Sequence, residues 1–144
     1  MRKLVLLACV VVAACSRPNP PVGKWEGGYE GGGTLVAARV EILPGGQVKI
    51  SAPDITDAIV RREEIAQLRA RLSAELANGW SEVKPRAFDF DGKTFRKPGG
   101  FAPQMVWDKD TNQMTLELYI AANPALPVAL RPVSDFHDNP WVQG

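Results

Sequence analysis

Leu35-Val36-Ala37-Ala38-Arg39-Val40-Glu41-Ile42-Leu43, then Pro44-Gly45-Gly46, then Gln47-Val48-Lys49-Ile50-Ser51, is the stretch that decides the fold. In its first part Val36, Ala38, Val40 and Ile42 alternate with Ala37, Arg39 and Glu41. Side chains on a strand point to opposite faces in turn, so this period of two predicts a half-buried strand. Pro-Gly-Gly is turn chemistry, and Val48 and Ile50 resume the alternation, so the stretch reads as a hairpin. Lys24–Tyr29 precedes it as a further strand, with Trp25 and Tyr29 on one side. The glycines between, Gly27, Gly28 and Gly31–Gly33, allow strand bending or close packing. They do not form a phosphate loop, because no Gly-Lys-Ser/Thr ending follows.

Downstream the pattern changes. Residues 57–78 contain no glycine or proline and are rich in Ala, Leu, Arg and Glu, which are good helix formers. Ile65, Leu68, Leu72 and Leu76 recur at spacings of three and four and form one apolar stripe. Asp54, Thr56 or Asp57 is expected to cap the start, and Gly79 to end the helix in a left-handed conformation. Strands then resume at Ala87–Asp91, Lys93–Arg96, Gln104–Asp108, Gln113–Ile120 and Val128–Arg131, with turn signals at Asp91-Gly92 and Lys109–Asn112. From Pro132 onward prolines break the pattern. The fold expected is mainly β with one helix (α+β). It is a curved antiparallel sheet or small barrel of about eight short strands, with the long helix inserted after the third. One-faced strands of this kind need a second layer or closure.

The first residues carry an address. Met1-Arg2-Lys3 is a positive start, and Leu4–Ala14 runs without a charge. That run is shorter than the about 20 apolar residues needed to span a bilayer, so it reads as a secretory signal. Val12-Ala13-Ala14-Cys15 resembles the lipobox of bacterial lipoproteins. The resemblance implies cleavage before Cys15, lipid on its thiol, and anchorage by two or more acyl chains, which hold stably where one does not. Ser16 after the cysteine implies, by the same resemblance, the periplasmic face of the outer membrane. Residues 15–22 then form a lipidated, proline-rich tether. Fully extended, Ser16–Val22 would span about 20 Å at polyproline rise. Residues 23–144 form one β-rich domain.

Composition excludes several functions. The formal net charge of +1 over 144 residues offers no footprint for nucleic acid. The 2 cysteines are Cys9, within the signal, and Cys15, so the domain has no disulfide and no thiol nucleophile. His137 is the single histidine, and a zinc site of the usual composition cannot be assembled around it. No metal or cofactor is therefore expected. In Asp135-Phe136-His137-Asp138 the histidine reads as a surface residue of a polar tail, with a catalytic dyad as the sharper alternative. Asp89, Asp91, Asp108 and Asp110 flank two hairpins, where aspartate serves turns; an acid–base pair or calcium ligands are the alternative. Lys84, Arg86, Lys93, Arg96 and Lys97, with Trp80, Phe95 and Phe101 among them, make one region basic. It reads as a solvated strand face because Glu82, Asp89 and Asp91 are interleaved, with an anionic headgroup or polymer as the alternative partner.

Gly23-Lys24-Trp25 at the first strand resembles the Gly-x-Trp signature of lipocalins. The resemblance implies a small barrel in which Arg131 packs on Trp25, both structural. Lipocalins place their main helix after the barrel strands, whereas this helix interrupts them. The functional expectation is a non-enzymatic envelope lipoprotein that binds a small apolar ligand or an envelope partner. Trp25, Tyr29, Phe88, Phe90, Trp107, Leu116 and Leu118 are the candidate pocket residues. A scaffold acting through the Lys97–Pro103 loop and the tail around Phe136 and Trp141 is the second reading. A hydrolase-like enzyme using His137 is the third. Replacing Cys15 with alanine is expected to move the protein from the membrane to the soluble fraction. It should also abolish labelling by an alkyne-bearing palmitate; unchanged membrane sedimentation would remove the anchor reading.

Overall fold

The computed structural model describes residues 16–56, 64–120 and 125–141. The expected signal segment, Cys15 and residues 57–63 of the expected helix lie outside the described residues. Among the described residues nine strands form one curled antiparallel sheet: β1 (Gly23–Gly31), β2 (Thr34–Ile42), β3 (Val48–Ser51), β4 (Asp54–Thr56), β5 (Asp89–Phe90), β6 (Thr94–Arg96), β7 (Pro103–Asp108), β8 (Gln113–Leu118) and β9 (Leu126–Val133). The order across the sheet is β3-β2-β1-β9-β8-β7-β6-β5, with β4 also on β2. β1 to β3 and β5 to β9 follow one another as antiparallel neighbours, the chain crosses from β4 through the helix to β5 at the opposite edge, β9 also pairs with β1, and the sheet curls into a half-barrel.

The helix follows the fourth strand, not the third. β3 and β4 keep one register along β2, Arg39 opposite Ser51 and Val36 opposite Asp54. They are one edge lane interrupted at Pro53. Ala37 N donates to Pro53 O at 3.1 Å, but proline has no N–H to return. Asp54 and Thr56 are thus strand residues and do not cap the helix. The helix α1 spans Ile65–Gly79. Gly79 stays right-handed at φ −82° and the chain continues into a 3-10 turn, Trp80–Glu82. The turn ends where Val83 becomes extended, immediately before Lys84-Pro85, because the residue preceding a proline disfavours helix.

β2 is buried on both faces, where its alternation suggests one. Val36, Ala38, Val40 and Ile42 face the interior of the curl with Trp25, Phe95, Met105, Met114, Leu116, Val128 and Leu130. Leu35 and Ala37 face outward, where Leu72 and Leu76 of α1 cover them with Ile55 and Leu68 alongside. The helix stripe packs on the convex side and closes neither end of the curl.

β9 runs over eight residues and includes Pro127 and Pro132, where a shorter strand ending at Arg131 was expected. It pairs with β8 over Leu126–Leu130 and with β1 over Arg131–Val133. Each proline therefore sits where the ladder has one side only, which lets a central strand carry both. Gly27 and Gly28 leave room on opposite faces of β1. A methyl on Gly27 would lie 2.2 Å from Ala129 O of β9, and one on Gly28 would lie 2.1 Å from the Trp141 indole nitrogen. Of the residues expected to form a tether, Pro20 and Pro18 run past the β2–β3 and β5–β6 turns. Methyls built on Gly46 and Gly92 would lie 3.3 and 3.7 Å from them.

Gly27→Ala is expected to cost about 3 kcal/mol, because the clash is with backbone and not with a flexible tip. Gly79→Ala should have the opposite sign. That site is right-handed with nothing within 4 Å of the added methyl, so the change stabilises by about 0.5–1 kcal/mol. Urea unfolding midpoints of the two variants check both signs.

Candidate functional site

Two places combine unusual chemistry with geometry. The first is a cleft of about 740 Å³. It opens where the two ends of the curled sheet approach each other. One pair of hydrogen bonds joins those ends: Val48 N to Arg86 O and Arg86 N to Val48 O, both 2.9 Å. Beside this bridge the cleft is lined by Val48, Ile50, Val83, Phe88, Leu116 and Leu118. These residues come from β3, the segment before β5, and β8. Val48 and Leu116 are fully buried at its floor. Lys84, Arg86, Lys97, Glu82 and Gln104 bring polar groups to the lining. Size and apolar character fall within the range of small-molecule sites.

The seven residues expected to form a pocket divide. Phe88, Leu116 and Leu118 line the cleft. The other four pack in the interior of the curl. Trp25 is 2% exposed, and its indole N–H donates to Asn112 O at 3.1 Å. The Trp107 N–H donates to Asn112 Oδ1 at 3.0 Å. Asn112 has φ +52°, a left-handed turn conformation that asparagine tolerates. From there it ties both indoles together at one end of the half-barrel. Phe90 lies against Phe95 with ring centroids 4.4 Å apart and against Trp107 at 6.2 Å. Tyr29 packs on the same core, half-buried.

The second place was not visible as a site. Glu26, on the convex face of β1, is 0% exposed. Its Oε2 accepts the His137 backbone N–H at 2.9 Å. Its Oε1 accepts from Arg131 Nη2 at 3.3 Å and faces Nδ1 of the His137 ring. Arg131 also donates to Pro140 O at 2.9 Å. Arg39 Nη2 donates to His137 O at 3.1 Å, and its guanidinium lies 4.8 Å from the Phe136 ring centre. Burial pulls the Arg39 guanidinium below its ordinary value, against Glu26 and Asp138, which hold it up. Arg131 is opposite Glu26 in the ladder and so shares its face. Trp25 points the other way, into the curl, and the Arg-on-Trp packing implied by the lipocalin resemblance is not the arrangement here.

These contacts strap residues 134–141 over the convex face. Phe136 stands edge-on to Trp80 at 4.9 Å, and Trp141 fills the space left by Gly28. Both aromatic residues of the tail are engaged within the fold, while Phe101 in the β6–β7 loop is 96% exposed. His137 Nδ1 is turned to Glu26 and its side chain is 57% exposed. Among the described residues no hydroxyl or thiol bonds its Nε2, and the contacts with Glu26 hold the strap. Asp91 Oδ1 accepts the Lys93 and Thr94 N–H groups at 2.9 and 2.6 Å, and Arg96 meets Oδ2 at 2.8 Å. These bonds hold its carboxyl down at about 2. Asp108 likewise accepts from Asp110 N at 3.0 Å. Both carboxylates are engaged in turns. Among the described residues no cluster of His, Cys, Asp or Glu could hold a metal ion, and no helix is long and apolar enough to cross a membrane.

No protein-family model, curated protein or solved structure matches the chain.

Glu26→Ala is expected to cost about 3 kcal/mol, because it removes the buried carboxylate that accepts from the His137 backbone and from Arg131 and so releases the strap. His137→Ala keeps the backbone N–H to Glu26 and should cost only about 1 kcal/mol. Limited proteolysis of the tail and chemical denaturation separate the two. Equal losses would show that the imidazole, and not the backbone contact, secures the strap.

Proposed function

We propose that this protein is a non-enzymatic bacterial envelope lipoprotein that holds a small apolar ligand in the cleft between the ends of its curled sheet. On this reading residues 1–14 are removed and Cys15 carries lipid. The domain stands in the periplasm, at the outer membrane, on its proline-rich tether. The observation that carries the reading is the cleft itself: about 740 Å³ with an apolar floor in an otherwise packed interior. Burying apolar ligand surface there would contribute about 25 cal/mol per Å² before the costs of binding. The lipobox resemblance supports the compartment, and the Gly-x-Trp resemblance agrees with a curled ligand-holding sheet.

A second reading rests on Phe101. An aromatic ring 96% exposed at a loop tip suits contact with an envelope protein, which would make the domain a scaffold.

Native mass spectrometry of the full chain carrying Cys15→Ala, purified gently, tests the first reading. A reproducible adduct that is lost on denaturation is expected. Adding Leu118→Trp, which fills the cleft from β8, should remove the adduct with the fold retained. A clean apo mass from folded protein would overturn the ligand reading, and crosslinking at residue 101 would then test the scaffold.

A further inference from the structure

We propose that the cleft selects an amphiphile with a single apolar chain and an anionic head, the head being held by Lys84, Arg86 and Lys97. The inference rests on the reading that the cleft takes an apolar ligand, and it names the ligand's chemical class. The three cations border an apolar floor together with a single acid, Glu82. Other cations near them are spoken for. Arg96 pairs with Asp91 at 2.8 Å, and Lys49 lies over the Trp80 ring at 4.4 Å. Among the described residues Lys84, Arg86 and Lys97 make no salt bridge. The region that reads as one basic strand face in sequence is therefore divided by the fold. Part of it serves turns, and part gathers unpaired at one opening.

The backbone fixes where one of these charges points. Arg86 is paired directly with Val48 across the bridge. Paired residues of a ladder project to the same face, and Val48 projects into the curl. The Arg86 side chain thus extends on the cleft side, with its head in solvent and its stem along apolar surface. Lys84 lies two residues before it, and Lys97 reaches the opening from the end of β6. An apolar chain seated on Ile50, Leu116 and Leu118 would leave its head among these three donors. A neutral head would leave them uncompensated, and a cationic head would be repelled. Carboxylate and phosphate heads share the required chemistry.

Isothermal titration of the full chain carrying Cys15→Ala tests this. The probes are dodecanoate, dodecyl phosphate, dodecanol and dodecyltrimethylammonium, each kept below micelle formation. Dodecanoate or dodecyl phosphate, or both, should bind about tenfold tighter than dodecanol, with the trimethylammonium probe weakest. Whichever anion binds tighter identifies the head. The preference should shrink at high salt, as expected of exposed charges. It should vanish in Lys84→Gln/Arg86→Gln/Lys97→Gln while dodecanol affinity holds. If that variant fails to fold, the salt dependence of the parent chain decides. Dodecanol binding as tightly as both anions would overturn the head-group proposal and leave the apolar-ligand reading standing. No binding of any probe would overturn both.

Discussion

Taking a carboxylate out of water costs several kcal/mol unless its charge and lone pairs are met. Glu26 is such a carboxylate, and the convex side of the molecule is arranged to meet it. One oxygen is served by the tail backbone, the other by Arg131 of β9 and the His137 ring. Arg39 of β2 then holds the His137 carbonyl. Three neighbouring strands and the C-terminal segment are joined through a single side chain. The helix adds the other half of this outer layer and is tied to it where Arg69 meets Glu30 and lies over Trp141. Glycine at position 28 is part of the same construction, since any side chain there would occupy the seat of the Trp141 indole.

The covering is lopsided. β1 and β2 are sandwiched between the interior of the curl and the helix with its strap. β5, β6 and β7 have no such outer layer among the described residues. The sheet is strongest where it is doubly covered and ends weakly, with β5 reduced to two residues and one bridge linking the far ends. A cleft at that junction follows from the arithmetic of strands. Eight lanes curl far enough to bring β3 near the approach to β5, but among the described residues only Val48 and Arg86 pair there.

Much of this was legible in the residues. Alternation located β2 and β3, and turn chemistry located their hairpin and that of β7 and β8. The absence of breakers together with the leucine stripe located the helix. What escaped was set by tertiary context. Asp54–Thr56 has no alternation of its own and is a strand only because β2 continues past Pro53. The outward face of β2 reads as polar through Arg39 and Glu41, yet Arg39 is buried by a tail that follows about a hundred residues later. Pro132 looks like a strand end until β9 changes partner beneath it. Of the expected pocket residues, those on β8 and before β5 reach the cleft and the large aromatics do not. Trp25 and Trp107 each carry an N–H that needs a partner when the ring packs, and Asn112, in the exposed turn between β7 and β8, accepts from both. No local pattern distinguishes an aromatic that packs from one that lines a cavity.

The contacts of Glu26 with His137 join positions 111 residues apart. β1, the first strand, finds its second neighbour only in β9, the last. Pairings so distant in sequence are slow to form, because a long loop must close before any contact rewards it. The β1–β2 hairpin can assemble early, but it must wait with a bare carboxylate and an uncovered outer face. A chain that emerges from its N-terminus forward, whether from synthesis or from transport, cannot lock its architecture until β9 and residues 134–141 arrive. Commitment to the folded state thereby waits on a segment more than a hundred residues downstream of the strand it completes.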